Sequence, residues 1–461
     1  MTVTLVLTQN IFDELIAATQ DSSETAGVLL AKIVHLDNQD IRLLSLAICW
    51  VPPSAYSQRD AISMAILSEG YVHALGRAEA LGATAIWLHT HPGINALPQQ
   101  SQQDVVVERQ ISDLFFIRTG AKYYGTLIVS PRAWGMAFTG SLTSIAAERF
   151  RIDRIWSVGD RFRLVRGFDG NVAEVSPIYD RQVRAFGRAI QDTLSDLNIG
   201  IVGCGGTGSA VAEQLARLGV RTFTLFDPDE LSESNVTRVY GSSFADVGQS
   251  KVAALARHLT HIASGTQCMQ VKSMITKEST ARILISCDVI FGCTDDNAGR
   301  LVLSRVATYF LAPVIDCGVI LTSDHAGQLT GIHGRVTTVI PGQACLLCRG
   351  RIDLSRAAAE LRTPDERLRL EHEGYAPALG RIEPAVVTYT TIVAATAVGE
   401  LLERLVGYGP EPRPTEILLR IHDRELSTNH ASPIEGHYCH PSSKKVAAGM
   451  TEPFLEQVWP T

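Results

Sequence analysis

Apolar and polar residues in the first part of the chain follow patterns typical of a mixed α/β domain. Runs typical of strands cover residues 2–7, 25–34, 41–51, 84–88, 123–129 and 134–139. Helical spacing is found over residues 9–19 and over residues 57–81, where apolar side chains form one stripe that ends at Gly82. We therefore expect residues 1–145 to form an independent α/β domain.

A strand, a glycine cluster and a helix follow one another in the middle of the chain. The apolar run 199–202 leads into the glycines, an Ala/Leu-rich helical pattern covers 209–218, and a second apolar run, 222–226, ends on Asp227. The cluster comprises Gly203, Gly205, Gly206 and Gly208. Glycines let the backbone approach phosphate oxygens, and the amides of a helix N-terminus attract the anion. A carboxylate about twenty residues further on can bind a ribose hydroxyl, so the pattern predicts a nucleotide site.

The remaining patterns extend this second domain and mark its limits. Apolar runs at 289–292 and 313–316, separated by helical patterns, predict a doubly wound parallel sheet within residues 178–440. Residues 388–406 are apolar around much of a helix and predict a buried core helix. Residues 146–177, rich in Arg and Asp, indicate a connecting segment with some helix or hairpin, and residues 441–461 indicate a loose tail.

Composition narrows the class of protein. The 461 residues suit two or three domains, and 41 basic against 48 acidic residues leave no sign of a nucleic-acid surface. The N-terminus lacks the pattern of a signal peptide, and no run reaches the ~18 apolar residues of a membrane span. Nine scattered cysteines are typical of reduced thiols. We expect a soluble, cytoplasmic protein that binds neither nucleic acid nor membrane.

Residues typical of a hydrolytic metal site lie in the first domain. His89 and His91, two apart at the end of a predicted strand, point to the same side, and Asp104 follows in the sequence SQQD. Two imidazoles and a carboxylate are a zinc ligand set that leaves a fourth position open for water. Glu24 is the candidate base for that water, and the Ser101 hydroxyl the candidate donor to the oxyanion. The alternative is that the histidines end a strand and Asp104 caps a helix.

The sequences ETAGVLL from Glu24, HTHPG from His89 and SQQD from Ser101 resemble the JAMM (JAB) metallopeptidases over roughly the first 140 residues. The resemblance implies zinc-dependent removal or processing of ubiquitin or its prokaryotic relatives. The loop between His91 and Ser101 is longer than is common in that family.

A second set of charged residues follows Asp227 in the second domain. Activation of a carboxylate by ATP needs cations to hold the triphosphate and a carboxylate to hold magnesium. Asp295, which follows the predicted strand 289–292, lies at the carboxyl edge of the sheet where such a metal would bind. The candidate residues are Asp229, Asn235, Arg238, Lys251 and Asp295.

The glycine cluster together with SNVTR, GQSK and CTDDNAGR resembles the ThiF and ubiquitin-activating superfamily of adenylyltransferases over about residues 178–407. The resemblance implies a Rossmann-like domain in which Asp227 binds the ribose, Asp295 holds magnesium, and Asp296 stands where asparagine is usual. It also implies that Arg181 reaches the ATP site of a partner subunit in a homodimer. The residues that would hold the phosphates are Asn235, Arg238 and Lys251. The competing interpretation of the glycine turn, a nicotinamide dehydrogenase, would leave these cations without a role.

Cysteine and histidine residues late in the chain form a further candidate metal site. Relatives often bind structural zinc with two CxxC pairs, whereas this chain has only one. The candidate ligands are Cys345, Cys348, His437, Cys439 and His440. The alternative is a pair of small buried cysteines. Residues 372–384, where thioester-forming relatives carry a cysteine, contain none, so the adenylate passes directly to a separate protein, to a hydroxyl, or to Cys345 or Cys348.

Together these patterns predict a bifunctional enzyme of a prokaryotic ubiquitin-like pathway. One domain would process or remove a ubiquitin-like protein, and the other would adenylate its C-terminal carboxylate, with Zn, Mg and ATP as cofactors. Tethering the two activities would raise their effective concentration. One alternative is activation of a sulfur carrier for thiamin, molybdopterin or cysteine synthesis, and another is a binding scaffold with one inactive domain. The expected partner is a β-grasp protein, and a conjugating enzyme remains open as a further partner.

Overall fold

Two main sheets, of nine and eight strands, organise the chain. In this computed structural model the first sheet belongs to a unit formed by Met1–Ala173 with Ala447–Gly449, and the second to a unit formed by Glu174–Val446 with Met450–Thr461. The structure describes residues 1–93, 97–133, 135–167, 176–263, 265–362, 366, 369 and 385–460. The segment 372–384, in which the sequence analysis found no thioester-forming cysteine, therefore lies outside the described residues.

The first unit alternates strands and helices around a mixed sheet. Its order is β11-β10-β1-β3-β2-β6-β7-β8-β9, and β4 pairs with β5 in a separate hairpin. The elements are β1 (Val3–Thr8), α1 (Gln9–Thr19), β2 (Ala26–His35), β3 (Ile41–Trp50), β4 (Tyr56–Arg59), β5 (Met64–Ile66), α2 (Glu69–Leu81), β6 (Thr84–Thr90), α3 (Gln102–Thr119), β7 (Tyr123–Arg132), β8 (Gly135–Ser144), β9 (Arg149–Arg151), β10 (Arg154–Val158) and β11 (Arg163–Arg166).

Both faces of this sheet are covered by helices. Alternation along β6 sends Ile86 and Leu88 into a core that contains Phe12 of α1, whereas Trp87 joins a second core with Phe115 of α3. His89 continues the face of Trp87 and is buried. The strand pattern therefore delivers the first histidine to the side of the sheet on which α3 lies.

The prediction of one helix over residues 57–81 is wrong. The structure has the β4–β5 hairpin followed by α2, which ends at Gly82 in the left-handed conformation (φ 56°) as predicted. The Asp60 side chain accepts a hydrogen bond from the Ile62 amide, and the Asp60 amide donates to the Ser63 carbonyl. These local bonds favour a turn over a helix, and the apolar stripe did not reveal them.

Three strands of the first sheet come from residues 146–177, the stretch interpreted as a connection. β10 lies parallel to β1 and antiparallel to β11. Ile155 and Trp156 are buried, while Arg154 donates to the Thr4 hydroxyl at 2.9 Å. The many arginines obscure the strand pattern in the sequence, because only the few apolar residues between them contact the core.

The second unit is a Rossmann-like α/β fold with a mixed sheet of order β14-β13-β12-β15-β16-β17-β18-β19. The four predicted strands, β12, β13, β15 and β16, pair in parallel as expected, and β14, which was not predicted, pairs in parallel with β13. β17 to β19 add an antiparallel part that the apolar runs did not indicate. The elements are α4 (Asp180–Phe186), α5 (Arg188–Asp196), β12 (Asn198–Val202), α6 (Gly206–Arg217), β13 (Thr222–Phe226), α7 (Lys251–Ile262), β14 (Gln267–Val271), α8 (Glu278–Leu284), β15 (Val289–Gly292), α9 (Asn297–Tyr309), β16 (Val314–Ser323), β17 (Leu329–Val339), α10 (Leu354–Glu360), α11 (Val387–Val406), β18 (Glu416–Arg420) and β19 (Glu425–Asn429).

The core helix predicted at 388–406 is α11. It packs against α6, β16 and β17 and buries Val393, Ala397 and Leu401. The ion pair between Glu400 and Arg404, at 2.8 Å, lets two charged residues lie in this buried helix. Among the described residues, no helix is long and apolar enough to cross a membrane.

The C-terminal segment is packed rather than loose, which corrects the prediction for residues 441–461. Phe454 and Leu455 are buried, and the Phe454 ring lies 5.8 Å from that of Phe310. Arg305 of α9 donates to the Leu455 carbonyl at 2.7 Å. Two apolar side chains in a polar stretch are enough to dock it, and such isolated residues carry no periodic signal.

Candidate functional site

The predicted nucleotide turn joins β12 to α6 and requires glycine at two positions. Gly203 has φ +88°, and a Cβ there would lie 2.7 Å from the Cys293 carbonyl oxygen. A Cβ on Gly208 would lie 1.8 Å from the Gly203 carbonyl oxygen, so glycine lets the helix approach the turn. Gly205 and Gly206 line a cleft at the N-terminus of α6, where backbone amides favour a phosphate.

Asp227 is fixed to this turn at the end of β13. Its Oδ2 accepts from the Cys204 amide at 2.7 Å, and its Oδ1 accepts from the Asp229 amide at 2.9 Å. Burial raises the pKa of Asp227, and the charge of Lys251 opposes that shift. The carboxylate therefore has the fixed position that binding to a ribose hydroxyl would need.

Lys251 begins α7 and faces the same carboxylates. Its Nζ lies 2.7 Å from Asp229 Oδ2 and 3.7 Å from Asp227 Oδ1. Arg238 lines the cleft on which Lys251 also lies. Two cations are thus near the glycine turn.

The loop after β15 carries the predicted magnesium ligand. Asp295 is exposed and lines the cleft, whereas Asp296 caps α9 by accepting from the Gly299 amide. Aspartate caps a helix as well as the asparagine usual at this position in the resembling family. Arg300 donates to the Thr294 carbonyl at 2.9 Å and so holds the loop.

The structure brings most of the predicted nucleotide residues to one cleft of about 1210 Å³. Predicted residues that line it are Gly203, Gly205, Gly206, Asp227, Asp229, Arg238, Lys251 and Asp295. Asn235 is buried, and its Oδ1 accepts from the Ser232 amide at 3.3 Å, so the side chain stabilises a turn. Arg181 is exposed on α4. The roles of both remain predictions.

Arginines on the far side of this cleft were missed by the sequence reasoning. Arg335 of β17 donates to Asp316 at 2.6 Å, and Arg351 makes two bonds to Glu416, at 3.0 and 2.8 Å. Hydrogen bonds from Arg351, Asn429 and Thr337 outweigh the effect of burial and lower the pKa of Glu416 to about 2. The sequence carries no signal for these pairs: Arg335 and Asp316 are brought together by the pairing of β17 with β16, and Arg351 and Glu416 lie 65 residues apart in the chain.

The candidate metal site of the first unit is assembled by strand register. Ala26 of β2 lies opposite His89 of β6, so continuing the antiparallel register places Glu24 opposite His91. His91 Nε2 lies 3.9 Å from a Glu24 carboxylate oxygen. Burial raises the pKa of Glu24, against the opposing charge of the two histidines.

The predicted zinc ligands have a mutual geometry that suits the metal. His89 Nε2 lies 3.2 Å from His91 Nε2 and 3.3 Å from Asp104 Oδ1, and His91 Nε2 lies 3.7 Å from Asp104 Oδ2. Tetrahedral bonds of about 2.0–2.1 Å place ligand atoms about 3.3 Å apart. Burial opposes ionisation of Asp104, but hydrogen bonds from the histidines hold its pKa well below the ordinary value. The three side chains therefore lie close enough together to hold a metal ion.

Two further contacts position this site. Ser101 caps α3 by accepting from the Asp104 amide at 3.1 Å, and Asp104 Oδ2 accepts from the Ser101 amide at 2.7 Å. The cap of the alternative hypothesis is thus present, and it holds Asp104 beside the histidines. Arg59 of β4, which the sequence reasoning missed, donates to the Glu24 carbonyl at 2.7 Å.

Four of the five predicted cysteine and histidine ligands converge in the second unit. His437 Nδ1 lies 3.3 Å from Cys348 Sγ and 3.2 Å from Cys439 Sγ, and Cys345 Sγ lies 3.7 Å from the same nitrogen. The bond from Cys439 lowers the pKa of Cys345 to about 5 and raises that of Cys439. Three sulfurs and one nitrogen match a closed zinc set. His440 instead bonds to the Ser442 hydroxyl at 2.7 Å.

Comparison with known proteins identifies the second unit. The ThiF family matches residues 179–437, more than half of the chain. The chain belongs to the ThiF family. We call the matched residues the ThiF domain.

Curated relatives of the ThiF domain are adenylyltransferases. The chain is 32% identical over 176 residues to the molybdopterin-synthase adenylyltransferase of Escherichia coli (strain K12), covering 38% of this chain and 68% of that enzyme. It is 30% identical over 162 residues to the adenylyltransferase and sulfurtransferase uba4 of Aspergillus terreus, with 33% of each chain covered. The chain thus spans only a third of the second relative.

The solved structures include E. coli MccB with ATP. That chain is 18% identical, with a TM-score of 0.45, and the match covers 58% of this chain and 75% of MccB. At this TM-score the likeness adds nothing to the family assignment.

Proposed function

We propose that the ThiF domain adenylates the C-terminal carboxylate of a small β-grasp protein, using ATP. The observation that carries the proposal is the arrangement of the glycine turn, Asp227, Lys251 and Asp295 on one cleft of a ThiF-family chain. The cleft exceeds the roughly 300–1,000 Å³ typical of a small-molecule site, so a nucleotide and a peptide tail can both enter.

In the proposed reaction, a carboxylate oxygen attacks the α-phosphate of ATP and pyrophosphate leaves, which forms an acyl adenylate. Asp227 would bind the ribose, and the amides of the turn would hold phosphate oxygens. Lys251 and Arg238 would compensate the phosphate charge, with Lys251 exchanging its bond to Asp229 for one to phosphate. Asp295 would hold Mg²⁺, which would neutralise charge on the triphosphate.

The names of the relatives favour sulfur-carrier activation over protein conjugation. One is a molybdopterin-synthase adenylyltransferase and the other combines adenylyltransferase with sulfurtransferase. We therefore propose that the adenylate is converted to a thiocarboxylate. Mass spectrometry of the β-grasp product after incubation with a sulfur donor would detect it, whereas isopeptide bonds to lysine would support the ubiquitin-like pathway instead.

The test of adenylation is ATP–pyrophosphate exchange that depends on a β-grasp protein ending in Gly-Gly. We expect exchange with the intact chain, a loss of at least tenfold in Asp295→Ala, and no change in Asp37→Ala, an exposed aspartate of the first unit. Exchange that persists in Asp295→Ala would contradict the assignment of magnesium to this residue. Absence of exchange with every β-grasp protein tested would favour the alternative of a binding scaffold with an inactive domain.

We further propose that the first unit is a zinc-dependent peptidase for the same small protein. The observation that favours it is the set of 3.2–3.7 Å separations among His89, His91 and Asp104. These residues would hold zinc, which would lower the pKa of a bound water to about 7. Glu24 would take the proton from that water, and Ser101 would donate to the oxyanion.

Cleavage of a β-grasp protein fused to a carrier through its C-terminus tests this second activity. We expect cleavage that is abolished by a chelator, restored by zinc, and lost in Glu24→Gln. The matched control is Glu79→Gln, an exposed glutamate of α2. Cleavage that survives both chelation and Glu24→Gln would exclude the proposed zinc site.

A further inference from the structure

The walls of the nucleotide cleft differ in charge from one end to the other. Near the glycine turn the lining carboxylates are Asp227, Asp229, Asp295 and Asp296. The opposite wall, on β17, β18 and the chain between them, has four arginines and one carboxylate, Asp353, which caps α10. We call Arg335, Arg351, Arg356 and Arg420 the distal wall. In a chain whose net charge is −7, this is a marked local excess of positive charge.

The carboxylates behind the distal wall do not cancel its charge. Asp316, fully buried, lies 2.6 Å from Arg335 and 3.5 Å from Arg300. Glu416, also buried, lies 2.8 Å from Arg351 and 3.8 Å from a second arginine, Arg349. Each carboxylate is thus shared by two guanidinium groups, which leaves about one uncompensated positive charge at each pair.

These buried bonds also hold the arginines in place. Arg335 makes a second bond, at 2.6 Å, to the Thr337 hydroxyl, and Arg351 contacts both oxygens of Glu416. A guanidinium group fixed in this way loses little conformational entropy when it binds an anion through its other donors. Arg356 and Arg420 are exposed and extend the arginine surface toward solvent, where Arg420 is paired with Glu425 at 2.9 Å. An exposed ion pair contributes little free energy, so a substrate carboxylate can take the place of Glu425.

The position of the distal wall fits the path of a peptide tail. β17 is three strands from β12, which carries the glycine turn, and at about 4.8 Å per strand this is about 14 Å. An extended chain advances about 3.3 Å per residue. A tail whose terminal carboxylate reaches the α-phosphate would therefore pass the distal wall about four residues upstream.

We propose that the distal wall binds acidic side chains of the substrate tail, about three to six residues before the terminal carboxylate. This inference rests on the proposed adenylation and adds a substrate preference to it. The substrate would be a small protein whose tail carries Asp or Glu shortly before its end. Arginine binds carboxylates through paired N–H donors, which suits this recognition.

Binding of labelled peptides tests the preference without catalysis. The probes are fluorescein-labelled nonapeptides that end in Gly-Gly, and the three residues before the Gly-Gly are either Glu or Ser. Fluorescence anisotropy measures the binding of each peptide to the full chain. We expect the acidic peptide to bind at least tenfold more tightly, and the preference to fall at least threefold in Arg356→Ser/Arg420→Ser, in which Arg335 and Arg351 remain. Both side chains are exposed, so the variant should fold. Arg221→Ser, exposed at the amino end of β13, is the matched control and should keep the preference. Equal affinity for the two peptides would overturn the inference.

Kinetics separate this inference from the proposed function. In ATP–pyrophosphate exchange with acidic-tailed and neutral-tailed β-grasp proteins, the double variant should raise KM for the acidic protein at least threefold and leave KM for ATP unchanged. A tenfold rise in KM for ATP instead would assign the wall to the nucleotide and overturn the inference. An exchange rate that does not depend on the charge of the tail would refute this inference and leave the proposed adenylation standing. Absence of exchange with every protein would refute adenylation, while the peptide measurement still decides the inference.

Discussion

Single residues at the nucleotide turn differ sharply in what they tolerate. A Cβ at Gly208 would lie 1.8 Å from the Gly203 carbonyl oxygen, whereas one at Gly205 would have no neighbour within 4 Å. Gly208→Ala should therefore destabilise the chain by about 3 kcal/mol, since the backbone must move. Gly205→Ala should cost less than about 1 kcal/mol. Thermal unfolding of both variants checks this, and equal melting temperatures would contradict the packing described for this turn.

Glu416 gives a prediction for the dependence of stability on pH. Its pKa is lowered in the folded protein from the ordinary 4.5 to about 2, so its stabilising contribution is complete above pH 4.5 and is lost as the pH falls through about 2. The difference in unfolding free energy between the native chain and Glu416→Gln should therefore shrink by about 2 kcal/mol from pH 7 to pH 3.

Urea unfolding at the two pH values measures that difference. Glu230→Gln, an exposed residue paired with Lys272, is the control and should show little change. A Glu416→Gln difference that is constant with pH would show that the carboxylate titrates normally.

At this scale the sequence predicted the metal ligands better than the arginines. The spacing of His89, His91 and Asp104 is local enough to be recognised as a motif, and the structure brings them together. Arg335 and Asp316 depend on the pairing of β16 with β17, and no spacing rule connects them. Charged pairs across strands are therefore where sequence reasoning failed.

At the scale of elements, two clusters offer places for zinc. The ligand atoms within each cluster lie no more than 4.8 Å apart: His89, His91 and Asp104 in one, and Cys345, Cys348, His437 and Cys439 in the other. If both bind zinc, the zinc content per chain should fall by about half in His89→Ala/His91→Ala and by about half in Cys345→Ser/Cys348→Ser.

Mass spectrometry of the elements in the purified protein measures this content. Only the cysteine variant should also lower the melting temperature strongly, because a closed site of four ligands stabilises the fold. An unchanged zinc content in the cysteine variant would support the alternative, in which these cysteines are only small buried residues. Ser442→Ala, beside His440, is the control that should leave zinc bound.

Helices and strands were predicted correctly where a single hydrophobic period dominated the sequence. The predictions failed where local hydrogen bonds or long-range strand pairing determined the structure. The strands β12 and β13 were predicted almost to the residue, and the helix between them begins three residues earlier than predicted. This unit was recognisable because a buried strand and an amphipathic helix have distinct periods. Asp60 forms a turn inside a stripe that also fits a helix. β17 to β19 have partly exposed, polar faces, so their apolar pattern was weak.

At the scale of the whole molecule, the proposed homodimer predicts complementation. If Arg181 acts in the partner subunit's ATP site, Arg181→Ala and Asp295→Ala should each be inactive alone. Their equimolar mixture should recover about a quarter of the native exchange rate, since half of the dimers contain one intact site of two. Arg184→Ala, a neighbouring exposed arginine on α4, is the control and should keep full activity. A mixture that stays inactive would mean that Arg181 does not act between subunits.

The division into two α/β units is visible in the pattern of the sequence, but their extents are harder to derive. Arginine-rich strands such as β10 hide their buried side chains, Ile155 and Trp156, among charges. The docking of Phe454 against Phe310 joins residues far apart in the chain. Such long-range contacts cannot be predicted from the local composition of the sequence.

The bond from Arg59 to the Glu24 carbonyl ties the β4–β5 hairpin to the backbone of a candidate general base. The hairpin is short, and Ile62 at its tip is 88% exposed. If the first unit cleaves fusions as proposed, other sequences grafted onto this tip would alter which fusions are cut and leave the candidate catalytic residues unchanged. An antibody bound to the same tip would then slow the proposed cleavage without contacting the candidate metal ligands.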